Sequence, residues 1–146
     1  MKKIGIGSDH GGFNLKGKVI KLLNDLGYEV EDFGCYNTDS VDYPDIAKAV
    51  CGAVVEEKCD GAILICGTGV GMSIAANKIK GIRCAHLTDT YSAAMAREHN
   101  NANVIAIGER ITGEELAYCI VKTWLSAEFA GGRHANRVDK IMALEK

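Results

Sequence analysis

The sequence predicts an α/β fold in three layers, α/β/α, with a five-stranded parallel sheet between two layers of helices. Three observations carry that expectation. Short unbroken apolar runs such as Ala62-Ile63-Leu64-Ile65 and Val104-Ile105-Ala106-Ile107 are the pattern of strands covered on both faces. Longer stretches with apolar residues at helical spacing alternate with these runs, as successive βαβ units require. Glycines gather where strand gives way to helix, most densely in Cys66-Gly67-Thr68-Gly69-Val70-Gly71.

Lys3 to Ser8 reads as the first strand. A helix follows from about Phe13 to Leu26, with Leu15, Val19, Leu22, Leu23 and Leu26 on one face, and Gly27 stops it. Tyr28 to Phe33 alternates as a second strand. Pro44, the only proline, belongs in the first turn of a helix running to about Lys58, where its missing N–H leaves nothing unpaired. The third strand leads into Cys66, and a helix spans Met72 to Ile79. Ile82 to Leu87 is the fourth strand, Thr90 to Asn100 a helix, and Val104 to Ile107 the fifth strand. Thr112-x-x-Glu115 has the form of a capping box, opening a helix that ends near Gly131-Gly132. An extra C-terminal helix runs from about His134 to Leu144. A Rossmann/flavodoxin-like strand order, 2-1-3-4-5, places the ligand crevice at the carboxyl ends of strands one and three, where the order reverses. Ser8, Asp9 and His10 follow one of those strands and Cys66 to Gly71 the other, so a single crevice collects both groups.

With 146 residues and no linker-like stretch, residues 1–146 read as one domain. A formal net charge of −2 argues against broad capture of nucleic acid or of an anionic membrane, which needs a basic face, and no apolar run approaches membrane-spanning length. Cys35, Cys51, Cys59, Cys66, Cys84 and Cys119 lie within strand-like or helix-like patterns without a Cys-x-x-Cys pair, which predicts buried thiols in a reducing, cytoplasmic setting. The N-terminal residues do not have the apolar length of a signal peptide.

The glycine turn after Cys66 lets backbone N–H groups converge on an anion at a helix N-terminus, and the same partial charge favours the thiolate, the form that acts as base or nucleophile. Two other glycine patterns are decoys. Gly67-x-Gly69-x-Gly71 lacks the dinucleotide spacing and the acidic residue that should follow it, and Gly12-Phe13-Asn14-Leu15-Lys16-Gly17-Lys18-Val19 fits the phosphate loop except at Val19, inside a helical pattern. His99-Asn100 falls at a helix end, where a histidine either caps carbonyls or does chemistry. His86 and Asp89 lie at the ligand edge with nothing further to support them. Arg133-His134-x-x-Arg137 puts two guanidinium forks on one helical face behind an open turn, an arrangement suited to phosphate, and Arg110 lies just past strand five. The cysteines and histidines lack the paired spacing of metal sites, so no metal or other cofactor is expected.

Ser8-Asp9-His10-Gly11-Gly12, Asp42-Tyr43-Pro44, Cys66 to Gly71, Arg97-Glu98-His99-Asn100 and Gly132-Arg133-His134-x-x-Arg137 together resemble the type B ribose-5-phosphate isomerases, in the sugar-phosphate isomerase family that includes galactose-6-phosphate isomerase. The resemblance spans essentially the whole chain, in order. It implies aldose–ketose isomerisation in the pentose phosphate pathway, through a cis-enediolate and without metal. By that resemblance Cys66 moves a proton between C1 and C2, while Gly67, Thr68, Gly69, Val70 and Gly71 hold the enediolate oxygen. His99 opens the sugar ring, and Asp9, His10, Tyr43 and Asn100 surround the sugar. Arg110, Arg133, His134 and Arg137 surround the phosphate. The family's dimers or dimers of dimers, with sites built from both chains, imply a homo-oligomer here. Where one branch carries a glutamate after the last glycine, this chain has Met72, which places it with the cysteine branch. Two alternatives stay open: a six-carbon substrate, allose 6-phosphate or galactose 6-phosphate, and a sugar-phosphate-binding module without turnover.

Overall fold

The computed structural model describes residues 1–145. Five parallel strands, β1 (Lys3–Ser8), β2 (Glu29–Asp32), β3 (Gly61–Cys66), β4 (Cys84–His86) and β5 (Val104–Gly108), form one sheet. They are joined by α1 (Phe13–Asp25), α2 (Tyr43–Val55), α3 (Val70–Ala76) and α4 (Thr90–Glu98), followed by α5 (Glu114–Ser126) and α6 (Arg133–Met142). The three-layer α/β architecture is the expected one.

Alternation along the strands divides the core in two. Ile63 and Ile65 pack with Leu15, Val19, Ile105, Ile107 and Trp124 on the side of α1, α4 and α5. Ala62, Leu64 and Cys66 point the other way and join Val50, Cys51, Met72 and Ala106 beneath α2 and α3. The twofold period of a strand thus fixes the side on which the Cys66 sulfur lies.

The strand order is 2-1-3-5-4, which corrects the expected 2-1-3-4-5. Burial explains the exchange. β5 is buried at every residue, whereas β4 has only three residues, two half-buried and one exposed. A fully apolar strand belongs between neighbours, and a short polar one tolerates the edge. The reversal of order at β1 and β3 is untouched, so the crevice stays where it was expected.

Three local expectations also change. Thr112 is not a helix cap: it is buried, its amide donates to the Gly108 carbonyl (2.9 Å), and Gly113 is the N-cap of α5. α5 stops at Ser126, five residues before Gly131, because Ala127 is extended (ψ 152°) and the following segment binds back through Ala130 N–H to Glu98 C=O (2.9 Å). Of the six cysteines, Cys84 is only half-buried and Cys119 is exposed. Burial pushes the Cys51 thiol up to about 12 and raises Cys84 as well, which keeps both protonated and inert.

Candidate active site

The crevice is built by two turns that touch. β1 ends at Ser8, opposite Ile65, and the Asp9 amide continues the ladder by donating to Ile65 C=O (3.2 Å). The Asp9 carboxylate accepts from Gly11 N–H (2.8 Å), closing a single turn of 3-10 helix over His10–Gly12. Gly12 has to be glycine, since a methyl there would stand 2.6 Å from the Ile65 carbonyl oxygen. A methyl on Gly11 would stand 3.3 Å from the Gly67 nitrogen, so the first turn rests directly against the second.

In that second turn Cys66 is 5% exposed, and its Sγ accepts from the Gly69 N–H at 3.1 Å. The sulfur therefore faces the amides that follow it. Gly69 makes the turn possible with φ +83°, a left-handed conformation that costs other residues free energy. Val70 N–H donates to Thr68 Oγ1 (3.2 Å), and Ser73 is the first amide of α3 to reach a carbonyl, that of Gly69 (3.0 Å). Between them, Gly71 and Met72 have no backbone acceptor among the described residues, which leaves two N–H donors at the mouth of a seven-residue helix.

Two side chains roof the turn. A methyl on Gly71 would lie 2.7 Å from the Tyr43 ring, and one on Gly67 would lie 2.9 Å from Arg110 Nη1. Tyr43 is delivered by the start of α2 and Arg110 by the chain leaving β5, where its amide donates to Gly67 C=O (3.0 Å). His10 accepts the Val41 N–H at Nδ1 (3.4 Å), so the neutral ring carries its proton on Nε2. Asp9, His10, Tyr43, Cys66, Gly67, Thr68, Gly69, Val70, Gly71 and Arg110 thus share one edge of the sheet.

His99, Asn100, Arg133, His134 and Arg137 form a separate cluster. α4 starts beyond the carboxyl end of β4 and returns the chain to the amino end of β5, so its C-cap, His99, lies at the amino edge. Arg83, just before β4, confirms the position by donating from Nε to the carbonyls of Asn100 (3.2 Å) and Asn101 (3.1 Å). The His99 ring stacks on that of His134, centroids 4.0 Å apart and 9° from parallel. Burial, then His99, Arg133 and Arg137, hold the His134 imidazole below its ordinary range. Cys66 closes β3 at the opposite edge, and five residue steps along that strand span about 17 Å. One chain does not bring Cys66 and His99 together, and it separates Arg110 from the other two arginines.

Sequence reasoning missed several supports. Glu109 Oε1 accepts from Leu15 N–H (2.5 Å) in the first turn of α1, fixing the residue next to Arg110; only its place beside Arg110 could have signalled this. Lys16 is buried against Asp32 (2.7 Å) and the Cys35 carbonyl, which ties down the segment leading to Tyr43. Of the two residues noted without support, Asp89 is the N-cap of α4, accepting from Ser92 N–H (2.7 Å), and that bond, with the Ser92 hydroxyl, lowers its carboxyl's affinity for a proton. His86 lies over the Cys66 turn. The decoy loop is helix, as its pattern indicated, and its Lys18 pairs with Glu114 (2.8 Å) on α5.

The fold and site define a doubly wound α/β protein with a thiol at the end of β3, set against a glycine turn and roofed by a tyrosine and an arginine. A protein-family model described as Ribose/Galactose Isomerase matches residues 4–141. The structure of ribose-5-phosphate isomerase B from Clostridium thermocellum superposes with a TM-score of 0.97 at 59% identity, covering 98% of this chain and 97% of that one. Ribose-5-phosphate isomerase B of Escherichia coli strain K12 is 50% identical over 146 residues, 100% of this chain and 98% of the relative. D-erythrulose-4-phosphate isomerase of Pectobacterium atrosepticum is 46% identical over 142 residues, 97% of this chain and 93% of the relative. The chain belongs to the ribose/galactose isomerase family.

Proposed function

We propose that this chain interconverts ribose 5-phosphate and ribulose 5-phosphate with Cys66 as the base. The observation that carries the reading is the Gly69 N–H directed at Cys66 Sγ, 3.1 Å away, at the carboxyl edge of the sheet. Removing a proton beside a carbonyl leaves an enediolate that is a poor anion in water, and this arrangement addresses both halves of the problem. A sulfur with an amide donor can hold negative charge and take the proton from C2 or C1. The open amides of Gly71 and Met72 meet the oxygen on which charge develops, each such donor typically being worth about 3 kcal/mol. A positioned base contributes roughly 10² to 10⁴ in rate.

Ring opening and phosphate binding fall to the other cluster. His99 transfers the proton that opens the furanose, and Arg133, His134 and Arg137 take the phosphate, whose remote binding holds the reacting carbons against Cys66. Because these groups stand at the far edge of the same sheet, a second copy of the chain has to supply them, making the working unit a homo-oligomer with shared sites. Names of the relatives support a phosphorylated sugar as substrate. One of them, named for D-erythrulose 4-phosphate, favours a second reading in which a four-carbon sugar phosphate is used.

A panel of phosphorylated aldoses and ketoses of four, five and six carbons, assayed for interconversion with chelator present, tests the reading. Ribose 5-phosphate is expected to give the highest kcat/KM, and Cys66→Ala to lower kcat by at least about 10²-fold. Near-native turnover by Cys66→Ala would remove the base assignment. Binding of sugar phosphate without turnover in the unmodified protein would leave a binding module.

A further inference from the structure

We propose that His86 is a positioning residue for the reaction, acting on Cys66 through one peptide group; this rests on the reading of Cys66 as the base. His86 Nε2 lies 2.8 Å from the Thr68 carbonyl oxygen. A carbonyl only accepts, so Nε2 carries the proton and donates it. Thr68 C=O and Gly69 N–H belong to the same planar trans peptide and point in opposite directions. The oxygen end is held by His86, and the hydrogen end is the donor to Cys66 Sγ at 3.1 Å. A hydrogen bond accepted at the oxygen both fixes the plane of this unit and polarises its N–H, so the imidazole strengthens the bond the sulfur receives.

The surroundings leave that plane few alternatives. A methyl built on Gly108 would stand 2.4 Å from the Thr68 carbonyl carbon, so β5 packs against the peptide from one side. A methyl on Gly69 would stand 2.8 Å from the His86 ring, so the end of β4 closes the other side. His86 itself is exposed at the end of an edge strand. Its position there has no role in the core, which separates a positioning effect from a folding effect.

Three substitutions test this, because they place a donor at the position of Nε2, at the position of Nδ1, or nowhere. His86→Gln puts its amide nitrogen where Nε2 stood, His86→Asn puts it where Nδ1 stood, and His86→Leu supplies none. kcat is expected to fall about tenfold in His86→Leu and His86→Asn with KM for ribose 5-phosphate unchanged, a fraction of the roughly 10²-fold or greater loss when a transition-state donor is deleted outright. His86→Gln is expected to stay within about twofold of the parent on the same scale. The contrast between Gln and Asn stands even if the Leu variant does not fold. With Cys66→Ala inactive in the same assay, the proposal is overturned by full kcat in His86→Asn, by equal losses in Gln and Asn, or by a loss confined to KM. An active Cys66→Ala would remove the base, and this proposal with it.

Discussion

Mixing two inactive variants should restore a quarter of the activity if the site is shared between chains. The perturbation is a pair of single substitutions, Cys66→Ala and His99→Asn, each purified alone. In a twofold dimer with two shared sites, each site takes Cys66 from one chain and His99 from the other. A dimer of one Cys66→Ala chain and one His99→Asn chain therefore contains one site with both groups intact and one with neither. Random exchange at equal concentrations makes about half of all dimers mixed, each with half its sites active, for about one quarter of parental turnover. The separation demands this outcome: the two residues close opposite edges of a sheet, with about 17 Å of strand between them, more than a pentose phosphate spans. The assay is unfolding and refolding the two variants together, then measuring turnover of ring-form ribose 5-phosphate against each variant refolded alone. Activity no higher than the mean of the two parents would refute shared sites, and the role of His99 with them.

Lys16 and Asp32 should respond unequally to substitution. The Lys16 side chain is 2% exposed and that of Asp32 33%, so Asp32→Ala strands a buried charge, while Lys16→Met strands one that water reaches. Asp32→Ala is expected to cost about 3 kcal/mol or more in urea denaturation and Lys16→Met clearly less; equal costs would contradict the burial argument. Acid should loosen the His99–His134 stack. Because the folded protein holds His134 below its ordinary value of 6.5, the unfolded chain binds the proton more readily. The contribution is therefore full above about pH 6.5 and is lost as pH falls through the folded value. An NMR titration of the His134 ring midpoint, with and without His99→Asn, checks both sign and cause. Arg133→Ala and Arg137→Ala should each raise KM for the phosphorylated sugar while leaving kcat closer to parental, as loss of uniform binding requires.

Most of the fold was legible because it depends on patterns that repeat. Unbroken runs at β3 and β5 demanded two covered faces, and the leucines of α1 marked a single buried stripe. The exchanged order of β4 and β5 was legible too, had composition been weighed against position: Arg83 and His86 interrupt one run, and nothing polar interrupts Val104 to Ile107. The capping-box pattern misled because Thr-x-x-Glu is a local motif, whereas Thr112 is claimed by packing and by the Gly108 carbonyl. Lys16 could not be read at all. Its partners come from β2 and the segment after it, and no periodicity of α1 announces a charge that another element will neutralise.

The candidate site divides along the same line. A turn is a local object, so the thiol, its glycines and all but one of its amide donors could be read as one unit from six adjacent residues, the Met72 amide lying one residue beyond. The division into two clusters is a property of topology, and topology supplies it without side chains. In a parallel sheet each helix that joins two strands returns the chain to the amino edge, so a residue at the end of α4 has to lie across the sheet from the end of β3. Chemistry that needs Cys66 and His99 at one sugar therefore demands a second copy from the order of elements alone. On the proposed reading activity is tied to assembly, since a separated protomer would keep its base and lose its ring-opening acid. Dilution of the protein below the dissociation constant of its subunits should accordingly abolish turnover of the ring form with a second-order concentration dependence. Specific activity that stays constant through that dissociation would place both groups in one chain and contradict the fold.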